Sequence, residues 1–224
     1  MVVAEVSCKR IPDAVPYEVA ALIGCGVATG VGASVHRGQL SEGDTVVVVG
    51  AGGVGLSAVM GANMAGAKRI IAVDRAASKK NLSINLGATH FVTADDRAID
   101  EVLNLTEGRG ADVVIEAIGN TALQESWLRA VRPGGTMVLV GVPSTSDSTS
   151  FISADLIRSE KTIKGSYYAA TDTGQAIDDL CAAYLQGRLP IDRLISKRVA
   201  IQDIQLAIDA MLTGAEGRTV IAFD

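Results

Sequence analysis

The run Thr45-Val-Val-Val-Val49, passing straight into Gly50-Ala-Gly52-Gly53-Val54-Gly55, constrains this chain more than any other feature. It is a β-forming run that breaks into glycines at Gly-x-Gly-x-x-Gly spacing. Gly50 lets the chain turn tightly off its strand, and Gly52 lets a pyrophosphate approach backbone N–H groups. Gly55 allows the following helix to lie close on the sheet. A helix that starts there offers unpaired N–H groups and the positive end of its dipole to phosphate. A second β run, Ile70-Ile-Ala-Val73, ends on Asp74, nineteen residues beyond Gly55. A carboxylate at that distance suits the hydroxyls of an adenosine ribose. Three spaced glycines carry little weight in a chain with 24 of them. Strand, turn, helix, strand and acid in that order are specific.

The 224 residues suffice for a large buried core, and a content of 48% hydrophobic and 20% charged residues argues against disorder. A formal charge of −5 with no basic block argues against a nucleic-acid surface. Cys8, Cys25 and Cys181 are an odd number without a short-range pair, which speaks against a disulfide framework and for a reducing, cytoplasmic setting. The N-terminus has no basic stretch before an apolar one, and no unbroken apolar run approaches about eighteen residues, so neither export nor a membrane span is expected.

Along the chain, a lead with Pro12 and Pro16 gives way to a helix starting near Pro16. Strands are expected at 45–49, 69–73, 90–93, 111–116, 135–140 and 161–166. Helices are expected at 53–65, 76–86, 97–105, 121–131 and 172–187, and residues 199–224 read as a helix followed by a strand at 218–223. The segment 144–150, rich in Ser and Thr, reads as an exposed loop. Near-continuous apolar strands such as Val46–Val49 suit a parallel sheet covered on both faces. Right-handed crossovers then give an α/β fold, a doubly wound, mostly parallel Rossmann sheet with helices on both faces.

Leu22-Ile-Gly-Cys25-Gly-Val-Ala-Thr29-Gly, just upstream of the glycine fingerprint, resembles the zinc-dependent alcohol dehydrogenases of the medium-chain dehydrogenase/reductase family. The likeness continues through Gly50–Leu56, Arg69–Asp74, Asn85-Leu-Gly-Ala88, Asp112–Gly119 and Gly217-Arg218-Thr-Val-Ile. It implies a cofactor, NAD, and a reversible oxidation of a small alcohol to an aldehyde or ketone. It further implies a homodimer joined near residues 162–168. Three parts follow: 1–28 as a remnant of the catalytic region with a linking helix, 29–167 as the NAD-binding unit, and 168–224 as elements packing on the catalytic domain. In that family a catalytic domain also precedes this region. It carries two further zinc ligands and a hydroxyl relay, and those motifs are not among these residues. Cys25 matches the third zinc ligand only. One thiolate does not hold a catalytic zinc, which takes three protein ligands and an open position. His36, expected after a helix, and His90, at a β edge, share no ligand spacing with Cys25.

Gly50, Gly52, Gly53, Val54 and Gly55 are read as the dinucleotide-binding turn, and the same resemblance implies that the Val54 N–H lies near the pyrophosphate, its side chain near the nicotinamide side of the cleft, and Thr29 beside the nicotinamide. It places Lys79 near the adenosine ribose and Arg218 near the pyrophosphate. Ile118 and Gly119, with Val140, Gly141 and Val142, correspond to loops that contact coenzyme at the carboxyl end of the sheet. Asp74 would repel a 2′-phosphate, which favours NAD, while Arg75 beside it would tolerate NADP. The plainer alternatives are a solvated strand-end acid at Asp74, surface cations at Lys79 and Arg218, and ordinary strand ends elsewhere. Glu116 is expected to orient a loop, without an acid–base task. Tyr167 and Tyr168 are expected to pack at the cleft or between subunits. Two other functions stay open, a non-catalytic dinucleotide-binding or interaction module and a zinc-independent reductase. The isolated chain is expected to bind NAD or NADH without turning over alcohol.

Overall fold

The computed structural model describes residues 2–212, 214 and 217–223. A long helix, α1 (Tyr17–Arg37), leads into β1 (Thr45–Val49), α2 (Gly53–Met64), β2 (Arg69–Asp74), α3 (Lys80–Asn85) and β3 (His90–Thr93). The chain continues through α4 (Ala98–Leu105), β4 (Ala111–Glu116), α5 (Thr121–Trp127), β5 (Val131–Leu139), α6 (Ser153–Arg158) and β6 (Thr162–Gly165). It ends with α7 (Thr173–Leu185), β7 (Ile195–Ala200), α8 (Ile204–Leu212) and β8 (Arg218–Ala222).

Strands β1 to β6 form one parallel sheet in the order β3-β2-β1-β4-β5-β6. Alternation along each strand divides the core. Val46, Val48, Ile70, Ala72, Val113 and Ile115 belong to one cluster with Val27 and Val31 of α1 and Leu56, Val59 and Met60 of α2. Val47, Val49, Ile71, Val73 and Val114 belong to the other, with Val102 of α4 and Trp127 of α5. With both faces covered, these strands have no polar side to show, and the all-apolar sequence of β1 is the result.

At the amino end of the sheet, Asp112 ties three elements together. Its carboxylate accepts the Thr45 N–H at 2.9 Å, Arg109 Nη2 at 2.8 Å and Arg132 Nε at 2.6 Å. Burial alone would raise its pKa, but these donors outweigh burial and bring it down to about 2.

Helices α1 and α2 meet backbone to backbone. A Cβ on Gly30 would collide with the Val54 carbonyl and come within 2.6 Å of the Ala58 nitrogen, and one on Gly61 would lie 3.0 Å from the Val31 Cα. The buried Ser34 hydroxyl donates to the Ala58 carbonyl at 2.7 Å across the same contact.

Several expectations need correcting. Helix α1 runs to Arg37, so His36 lies in its last turn instead of after it. By length and composition α1 could cross a membrane, with a mean hydropathy of 1.6 over its most apolar window. Glu18, Thr29 and Ser34 interrupt its apolar sequence. Half of that window is buried, with Val19, Ile23, Val27 and Val31 in the core, as a core helix of a globular domain requires. Strand β5 starts at Val131, four residues early, because a register shift between Ala111 and Val113 in β4 lets it run past Pro133-Gly134-Gly135. Helix α6 and strand β7 carry no clear period and were not anticipated. Val199 belongs to β7, which pairs with β8 in parallel as a separate two-stranded sheet.

Candidate functional site: the carboxyl edge of β1 and β4

The order of the large sheet reverses between β1 and β4, and crevices at such points receive ligands in open α/β sheets. The glycine fingerprint sits there. Gly50 turns with φ +99°, and a Cβ on it would come within 2.6 Å of the Ile118 side chain. A Cβ on Gly55 would strike the Gly50 carbonyl, so the first turn of α2 rests on the end of β1. Gly52, the N-cap of α2, has nothing within 4 Å of a Cβ position. The space above it is open, and the first turn of α2 faces that space.

Two charged side chains flank this turn. Arg218 at the start of β8 lays its guanidinium over Gly53, where a Cβ would collide with it. Its Nη2 would also lie 2.8 Å from a Cβ on Gly26 in α1. Asp74 closes the other side from the end of β2. One of its oxygens accepts the Ala51 N–H at 2.8 Å and pairs with Lys79 Nζ at 3.0 Å, and the other accepts the Ala76 N–H at 3.0 Å. Burial would raise the pKa of Asp74, but the bonds from Ala76, Lys79 and Ala51 prevail and hold it below its ordinary value. A carboxylate offers about four acceptor positions, and three are already taken here. Lys79 is thus a partner of Asp74 itself, with both side chains largely buried, and Arg75 is exposed.

The loops after β4 and β5 complete the edge. Gly119 has φ +85°, and a Cβ on it would sit 2.7 Å from the Val142 carbonyl oxygen. A Cβ on Gly141 would strike the Gly119 nitrogen. Ile118 and Val142 are exposed and Val140 is buried. Glu116, fully buried, accepts the N–H groups of Ile118 and Gly119 at 2.8 Å each. Loop orientation was its expected task, and the geometry matches it.

Cys25 lies exposed in a π-helical turn of α1, Ile23–Val27. The Tyr168 hydroxyl donates to the Gly24 carbonyl beside it, an anchor within the chain where packing at the cleft or between subunits was expected. Thr29 is half-buried about one turn further on. Tyr167 is exposed. His36 follows Cys25 by eleven residues on the same helix, about 16 Å along its axis, far beyond a shared metal whose bonds span about 2 Å. Among the described residues, no group of three or more His, Cys, Asp or Glu side chains could hold a metal ion. Two cavities, about 240 Å³ between α1 and α7 and about 410 Å³ between α5 and α6, lie away from this edge, and no glycine-fingerprint residue lines either.

Comparison with known proteins gives relatives in sequence and in fold. Alcohol dehydrogenase B of Mycobacterium tuberculosis is 34% identical over the whole chain, which spans 60% of that protein's length. A crystal structure of an alcohol dehydrogenase zinc-binding domain protein from Burkholderia ambifaria superposes with a TM-score of 0.90 at 32% identity, over 96% of this chain and 58% of that one. A zinc-binding dehydrogenase from Sinorhizobium meliloti, solved bound to NADP, superposes with a TM-score of 0.78 at 29% identity, over 94% of this chain and 60% of that one. Residues 53–183 match the family described as zinc-binding dehydrogenase. That match covers more than half of the chain, which therefore belongs to the zinc-binding dehydrogenases.

Proposed function

We propose that this chain is the coenzyme-binding portion of an NAD-dependent, zinc-type alcohol dehydrogenase, with residues 29–167 as the nucleotide-binding unit. One observation carries the reading. Open space above Gly52 lies between an anchored carboxylate, Asp74, and a guanidinium, Arg218, at the N-terminus of α2. A dinucleotide needs those partners in that order, with acid toward the ribose and N–H groups and cation toward the pyrophosphate. Thr29, Val54, Ile118, Gly119, Val140, Gly141 and Val142 would line the remainder of the coenzyme's path. Bound there, the nicotinamide would accept or return a hydride, and the protein would bind and orient it. The complete protein would reversibly oxidise a small alcohol to an aldehyde or ketone.

The described residues do not by themselves fit a catalytic zinc. Cys25 supplies one thiolate, and the second and third protein ligands would have to come from elsewhere. That same observation favours, as a second reading, a dinucleotide-binding module without catalysis of its own. The edge strand β6 would join a second copy, and three free cysteines suit a cytoplasmic setting. Titration of the folded chain with NADH tests the first reading, with quenching or calorimetry as readout. Saturable binding that weakens in Gly52→Val is expected, and absence of binding overturns it.

A further inference from the structure

Glu116 ends β4 with none of its surface exposed, an unusual place for a strand-end acid, since a buried carboxylate is tolerated only when hydrogen bonds satisfy it. Its donors are distinctive. Oε1 accepts from the N–H groups of Ile118 and Gly119, each at 2.8 Å, and Oε2 accepts from Nε2 of Gln124 at 3.2 Å. The main-chain oxygen of the same residue accepts from the N–H groups of Val140 and Gly141 at 2.9 and 3.0 Å. One residue thus holds four N–H groups, two from the loop after β4 and two from the loop after β5.

The connection continues outward. Gln124 is buried in α5, and its Oε1 accepts the Thr149 hydroxyl at 2.7 Å. Its neighbour Glu125 accepts the Ser150 N–H at 2.7 Å. Asn120 caps the same helix by accepting the Leu123 N–H at 3.1 Å. The turn at 117–119 is therefore held from below by the Glu116 carboxylate and from the side by Val142 and Gly141. An apolar residue in place of Glu116 would fill the volume but leave two turn N–H groups without a partner.

In a sheet ordered 3-2-1-4-5-6, the two mononucleotide halves of a dinucleotide lie on opposite sides of the switch point. Asp74 belongs to the half built on β1, β2 and β3, so the nicotinamide half lies against the loops after β4 and β5. We propose that Glu116 is the positioning residue of that half-site: with the buried Gln124 and the half-buried Thr149 it forms a clamp that presets both loops for the nicotinamide end of the coenzyme. This rests on the coenzyme reading above. Glu116 touches no coenzyme atom and moves no proton in this scheme. Its effect is to remove the ordering cost that loose loops would impose on binding.

The test compares NADH with ADP-ribose, which lacks the nicotinamide end, in the folded 224-residue chain. Melting temperatures are recorded beside both affinities. Glu116→Met should weaken NADH about tenfold more than ADP-ribose, as expected when two N–H groups lose their acceptor. Glu116→Gln keeps an oxygen for both N–H groups and should hold the ratio within about threefold of wild type. Should Glu116→Met fail to fold, Gln124→Leu takes its place, with a shift of about threefold in the same direction. Equal losses for both ligands, or an unchanged ratio in the folded variant, would overturn the clamp alone. A wild-type chain that bound neither ligand would remove the coenzyme reading and the clamp with it.

Discussion

The guanidinium of Arg218 covers Gly53 so closely that a Cβ on Gly53 would occupy its space. Strand β8 thereby reaches the first turn of α2, and a side chain at position 53 would have to push the arginine aside. Arg218→Ala is expected to lower NADH affinity by about one to two decades, the usual effect of losing a charged hydrogen bond worth ~1.5–3 kcal/mol. Gly53→Ala displaces the same guanidinium, so the double variant should lose far less than the sum of the two. Additive losses in a calorimetric cycle would show that the contact is incidental.

Asp74 and Arg75 act oppositely on a 2′-phosphate. Asp74→Ala should weaken NADH and narrow its preference over NADPH, because a repelling carboxylate is gone. Arg75→Ala should widen that preference. Parallel titrations with the two coenzymes measure both ratios, and ratios unmoved in both variants would contradict the assignment.

Acid sensitivity should centre on Asp112. Its folded pKa, about 2, lies below the ordinary 3.8. The stabilisation is therefore fully present above the unfolded value and is lost as pH falls through about 4 toward 2. After allowance for solvent screening it is worth about 1–2 kcal/mol. Asp112→Asn should lower stability by that order at pH 7 and flatten the loss between pH 4 and 2. Urea melts at pH 7 and at pH 3 check this, and equal acid dependence in wild type and variant would refute it.

Strand β6 pairs with β5 on one side only among the described strands. Unpaired strand edges are readily completed by a second copy in two-fold symmetry. Light scattering at micromolar concentration is expected to give a dimeric mass that falls on dilution. A constant monomeric mass would rule the association out.

Zinc should not rescue alcohol oxidation by the 224-residue chain even where NADH binds. Cys25→Ser should leave NADH affinity unchanged, since the thiol is exposed and serine preserves its size. Zinc-dependent NADH production that survives purification and disappears in Cys25→Ser would reverse this expectation.

Much of the fold was legible because the central strands β1, β2 and β4 each carry an unbroken apolar run, as Val46–Val49 before Gly50 shows. The glycines and Asp74 were legible for the same reason, since backbone room and a fixed distance leave a mark in spacing. What stayed hidden depends on partners distant in sequence. Lys79 pairing with Asp74, Tyr168 reaching Gly24 and Gln124 linking Glu116 to Thr149 leave no local period. Strand β7 was missed because Ser196, Lys197 and Arg198 are exposed in a two-stranded sheet, where alternation is weak. A signal for Glu116 was present, a lone acid ending the apolar run Val113-Val114-Ile115.

The bare crossing of α1 over α2 has a mechanical consequence. With Gly30 and Gly61 at the contact, the two helix backbones approach each other directly, and the Ser34 bond to the Ala58 carbonyl fixes the same crossing. Cys25 and Thr29 ride on one helix, and the glycine turn begins the other. The pair works as a fixed gauge, holding the Cys25 turn and the glycine turn at a set separation while surrounding side chains change. Substitutions in the cavity beside α1 would then alter stability without altering that separation, whereas an alanine at Gly30 would shift it.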